Sequence, residues 1–76
     1  MTLDQLPTDR PATIRAIEGD RSPVVLRLME MGMVRGASVS VRKRAPLGGP
    51  LELRVRDYVL SIRRSEAKRF VVEVAA

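Results

Sequence analysis

The chain has 76 residues, 45% of them hydrophobic and 30% charged, with a net charge of +5 and neither cysteine nor histidine. That length supports one domain over residues 1–76, near the lower limit for a self-sufficient core. The missing Cys and His exclude disulfide staples, thiolate metal sites and the usual general base, and no apolar run approaches the ~20 residues needed to cross a bilayer.

Residues 1–11 hold Pro7 and Pro11 and show no clear period, so an extended lead-in is expected there; Met1-Thr2-Leu3-Asp4 does not read as a secretory leader. Thr13–Glu18 reads as a strand. Ser22 is a good helix N-cap, with Pro23 at the first helical position, where its missing N–H costs nothing. The helix then runs from Pro23 to Met31 and stops at Gly32, which suits a left-handed position after the cap. At about 100° per residue, Val24, Val25, Leu28 and Met29 share the core-facing side and Arg27 and Glu30 the opposite one. Leu26 and Met31 flank the polar stripe. Gly36 suits a turn position with positive φ.

From Ser38 the period changes to two. Val39, Val41, Leu51, Leu53, Val55, Leu60 and Ile62 alternate with polar residues. A hairpin around Pro46–Pro50 that pairs Ala45 with Leu51 puts Val41 opposite Val55 inside, and Arg44 opposite Glu52 and Arg42 opposite Arg54 outside. A further turn near Asp57-Tyr58 sets Val55 beside Leu60 and Glu52 beside Arg63. Both turns leave a single apolar inner face. Ser65 caps one helical turn through Arg69, and Phe70, Val72 and Val74 make a last strand. Five short strands with one inserted helix predict a mainly β fold, a small SH3-like barrel.

Little chemistry is available. The nine acids are scattered, the densest group being Glu18 with Asp20, whereas a hard cation needs several convergent oxygens. No resident metal or cofactor is expected. The serines lack a base, so nucleophilic catalysis has no machinery. Gly48-Gly49 is followed by neither Lys-Ser/Thr nor a helix, so it is no phosphate loop of the nucleotide-binding kind. Twelve of the fourteen basic residues are arginine, and Arg42 facing Arg54 is unfavourable unless Glu52 or an external anion lies between them. Tyr58 and Phe70, the only aromatics, fall on core parity, which leaves no platform for stacking bases. Met29, Met31 and Met33 cluster at the helix end, where methionine fills irregular gaps or offers an adaptable apolar patch. Leu26, Met31, Met33 and the loop-tip Leu47, with Arg42 and Arg54, are the candidate partner-binding residues.

The motifs together resemble a known family. Thr2-Leu3-Asp4-Gln5-Leu6-Pro7 is similar to its opening "TLxxLP", and Ala12–Gly19 to its first strand. Arg27-Leu28, Met31-Gly32 and Gly36 fall on "RLxxLG…G", Ala45-Pro46-Leu47-Gly48 and Pro50 on "APLGDP", and Leu60, Ile62, Arg63, Glu66 and Ala67 on "LaLRxxEA". Arg35, Gly49 and Asp57 stand where the family often has proline, aspartate and glycine. The family is FeoA, accessory proteins of bacterial ferrous-iron uptake. The resemblance implies an SH3-like barrel in the cytoplasm, non-enzymatic, that serves the FeoB transporter, a membrane protein with a cytoplasmic GTP-binding domain. A basic nucleic-acid-binding barrel remains the alternative, as does a stand-alone relative of the SH3-like domain of metal-dependent repressors. Weak self-association is left open.

Overall fold

The computed structural model describes residues 1–19 and 22–75. Its strands are β1 (Ala12–Ile17), β2 (Ser38–Arg44), β3 (Leu51–Val55), β4 (Tyr58–Ile62) and β5 (Phe70–Val74). The helices are α1 (Pro23–Glu30) and a single turn, α2 (Arg64–Ala67). The strands form one antiparallel sheet in the order β4-β3-β2-β1-β5. Their alternating Val, Leu and Ile side chains fill the concave side, and no polar residue joins them among the described residues. The expected mainly β, SH3-like barrel of five strands and one inserted helix is the fold observed.

The lead-in differs most from expectation. Residues 3–5 form a 3-10 turn, and Leu3 and Leu6 are fully buried. The segment straps the open side of the sheet: Thr2 bridges to Val71 of β5, and Thr8 to Val41 of β2. Arg44 fastens its middle, donating to the Asp4 carbonyl at 2.7 Å and to the Leu6 carbonyl. The spacing Leu3-x-x-Leu6 carries this signal, but three residues are too few to display a period.

Both predicted registers need correction. In the β2–β3 hairpin Arg44 lies opposite Leu51 and Lys43 opposite Glu52, and a bulge at Arg42 then sets Val41 opposite Leu53 and Ser40 opposite Arg54. Arg42 and Arg54 therefore do not face each other, and Arg44 does not pair with Glu52. The observed register is offset by one residue from a symmetric Ala45–Leu51 pairing, which turns Arg44 toward the strap. The extra residue at Arg42 then restores parity, so the valines stay inside. The β3–β4 turn is Arg56-Asp57, with Val55 opposite Tyr58 and Leu53 opposite Leu60. Glu52 therefore faces Ser61 rather than Arg63. Arg56 sits at φ +54° in that turn.

The helix begins at Pro23, as the sequence indicates, and ends at Glu30, one residue before the expected Met31, which is its C-cap. Ser22 occupies the N-cap position, although its hydroxyl makes no capping bond. At the other end Gly32, at φ +103°, donates to the Met29 carbonyl and Met33 to the Leu28 carbonyl. These two bonds are a Schellman motif, which folds Met33 back beneath the helix against Leu28. The last helical turn is capped two residues earlier than expected, by Arg63 rather than Ser65, and ends at Ala67 rather than Arg69. The Glu66 carboxylate accepts from the Arg63 backbone N–H at 2.7 Å.

Candidate partner-docking surface

The alternation of β4 places Leu60 and Ile62 on the concave side. That strand is the sheet edge, so no further strand covers them. Helix α1 lies across them through Leu28 and leaves an apolar groove of about 480 Å³. Val24, Leu28, Met31, Leu60 and Ile62 form its apolar lining, and Arg27 and Glu66 supply opposite charges. Val24 was expected in the core. It is 43% exposed, because the core-facing stripe of α1 narrows to Val25 and Leu28.

The predicted docking residues scatter around this groove. Met31 is half-buried and lines it. Leu26 is 47% exposed on α1, off the core stripe as its helical angle requires, and is not part of the groove's lining. Leu47 is fully exposed at the tip of the β2–β3 loop, with φ +58°. Arg42 and Arg54 are exposed on the convex side. Arg42 Nη1 lies 3.8 Å from Glu52 Oε2, a loose pair. Met33 must be withdrawn from the docking set: it is fully buried, drawn in by the Schellman turn, and offers a partner nothing. Tyr58 is corrected the other way. It is 39% exposed rather than in the core, because the turn falls at Arg56-Asp57 and leaves Tyr58 at the strand's first position.

Sequence reasoning missed the groove because its walls come from separated segments: α1, β4 and α2. The available signal was the run Tyr58-Val59-Leu60, three consecutive large apolar residues where a half-buried strand should alternate. Val59 is 40% exposed beside Tyr58, which extends the apolar surface along the sheet edge.

Nothing in the described residues gathers three or more metal-ligating acids, cysteines or histidines. The Glu18–Asp20 grouping cannot be followed, because Asp20 lies outside the described residues. Among the described residues no helix is long and apolar enough to cross a membrane.

Comparison with known proteins gives this geometry its relatives. A family profile described as the FeoA domain matches residues 1–74. A Porphyromonas gingivalis protein, an Fe(2+) transport protein A/Fe(2+) transporter FeoB fusion, is 39% identical over 74 residues, which are 97% of this chain but 9% of the fusion. This chain therefore spans about a tenth of that relative's length. Among solved structures, FeoA from Stenotrophomonas maltophilia, crystallised with zinc and described as a prokaryotic SH3 domain protein, superposes with a TM-score of 0.85 at 34% identity. The match covers 96% of this chain and 89% of that one. A FeoA-like protein from Clostridium acetobutylicum superposes with a TM-score of 0.86 at 37% identity, covering 100% and 87% of the two chains. Matched along residues 1–74 by the family profile and over nearly its whole length by these structures, the chain belongs to the FeoA family.

Proposed function

We propose that this chain is a non-enzymatic docking module that serves a FeoB-like ferrous-iron transporter from the cytoplasmic side. The observation that carries the reading is the Porphyromonas fusion, in which a region 39% identical to this chain is joined to FeoB. Covalent joining holds two partners at high effective concentration, which is useful when separate modules bind each other weakly. The surface offered is apolar: Leu26 on α1, the groove beside it with Val24 and Met31, and Leu47 on its loop. Arg42 and Arg54 speed the encounter with an acidic partner more than they hold it. The module carries no resident cofactor in this reading. Calorimetry with ferrous, zinc or manganese ions is expected to show nothing tighter than the high-micromolar range, on the order of isolated carboxylates.

The test is a titration of the chain against the cytoplasmic region of such a transporter at low and physiological salt. Apolar docking is weakly salt-dependent, because burial of apolar area is not screened. Leu26→Asp and Leu47→Asp should weaken binding without unfolding the barrel, and Arg42→Glu and Arg54→Glu should weaken it less. One observation favours the nucleic-acid alternative, namely that Tyr58 is an exposed aromatic. A single platform on a basic surface predicts weak, phosphate-driven binding that vanishes near physiological salt. Sequence-selective oligonucleotide binding that persists at that salt would overturn the docking reading.

A further inference from the structure

Away from the α1 groove, a second cavity of about 330 Å³ opens between the β2–β3 loop and the start of α2. Gly48, Gly49, Pro50, Arg63, Arg64 and Ser65 line it. Two arginines and a serine are thus brought to one opening, and no acid is among the described residues that line it. Glu66 is the acid adjacent in sequence, but it is engaged elsewhere: its carboxylate caps the Arg63 backbone N–H and its side chain lines the α1 groove.

The decisive feature is Arg64. Its Nε is buried and has no hydrogen-bond partner in the structure. A buried guanidinium donor is costly to leave unpaired. Neither Arg63 nor Arg64 forms an ion pair among the described residues. Arg44 shows the contrast within the same fold, since its fork is satisfied by the Asp4 and Leu6 carbonyls. The loop also leaves the mouth uncovered. Gly48 adopts φ +74°, and a Cβ there would meet open space.

We infer that this cavity is an anion site that takes a phosphate group. Arginine recognises phosphate through two parallel N–H donors, of which Nε is one. Two cations match a phosphate near its dianionic state, and Ser65, which also lines the cavity, carries a hydroxyl able to donate. A carboxylate, with one charge and two oxygens, uses this donor set less fully. The same phosphate chemistry is presented by a soluble phosphorylated metabolite and by a lipid headgroup.

The experiment follows the arginine Nε–H and backbone amide resonances of the labelled full chain during titration with inorganic phosphate, against sodium chloride at matched ionic strength. The expected result is a saturable shift of Arg64 Nε–H and of the Gly48 and Ser65 amides. Arg64→Lys keeps the charge but removes the Nε donor, and should weaken the response about tenfold, the scale of one lost charge-assisted hydrogen bond. If that variant loses its spectral dispersion, Arg63→Gln is titrated instead and should also weaken the response. Shifts that do not saturate, that persist unchanged in the variant, or that appear equally at Arg54 would overturn the site. Two further arms identify the source. Adenosine monophosphate shifting the same resonances assigns a soluble ligand. Co-sedimentation with phosphatidylglycerol-containing vesicles, abolished by Arg64→Lys, assigns a headgroup. Failure of inorganic phosphate and of both arms refutes the inference.

Discussion

Arg44 is the residue whose role the structure changes most, and its removal gives a sharp test. On a convex face, paired with Glu52, it would be a surface ion pair worth about 0–1 kcal/mol. In the structure it is partly buried and donates to two backbone carbonyls of the N-terminal strap. Hydrogen bonds that involve a charged group contribute roughly 1.5–3 kcal/mol each. Allowing for partial exposure and for the strap's relaxation, Arg44→Ala should cost about 2–4 kcal/mol, a large share of the ~5–15 kcal/mol that holds a domain together. Arg42→Ala is the control. Arg42 is exposed, its acid partner lies 3.8 Å away, and its loss should cost no more than ~0.5 kcal/mol. Urea unfolding of both variants measures the difference. Native-state hydrogen exchange locates it: the Gln5, Leu6 and Asp9 amides, bonded to Thr2, Leu3 and Val41, should lose protection in Arg44→Ala and keep it in Arg42→Ala. Equal small losses, or unchanged exchange over residues 1–9, would refute the strap's dependence on Arg44.

Thermal melts should separate the two leucines of α1: Leu28→Ala, at a buried position, should cost about 2–5 kcal/mol, and Leu26→Ser, at an exposed one, no more than ~0.5 kcal/mol. Leu3→Ala should cost about as much as Leu28→Ala, because Leu3 is fully buried despite its place in the lead-in. Gly32→Ala should destabilise by about 1–2 kcal/mol from the left-handed backbone alone, with a further loss because the new Cβ would lie 3.1 Å from Arg56 Nε and Tyr58 Oη; restored stability in an Arg56→Ala background would show how much of that loss is contact.

The fold was legible where a long element repeats a period or a residue type forces a dihedral. The helix from Pro23, its stop at Gly32, the left-handed Gly36 and the alternating valines of β2 and β3 all lie within such signals. What escaped were features set by a single residue's offset. A register offset of one residue turned Arg44 inward, and the bulge at Arg42 returned Val41 and Val39 to the core, so apolar parity alone could not reveal either event. Met33 escaped for a similar reason, because helical angles stop applying after Gly32 and the Schellman bonds decide where the next side chain points. Of the proposed docking surface, the exposure of Leu26 could be read from its angle on the helix. The groove between α1 and β4 could not, since it depends on which strand ends at the sheet edge.

The strand order also governs how the molecule is assembled in time. The run β2-β3-β4 is a local meander, closed by short turns, and can pair as soon as it exists. β1, made before all of these, lies between β2 and β5. Its second neighbour is therefore the last of these five strands to be made. Until then one side of β1 has no partner, and the space that Phe70 fills completely in the finished core stands open. During synthesis the sheet is thus completed only when β5 pairs with β1, and until then the open edge of β1 is a place where another unfinished chain can pair.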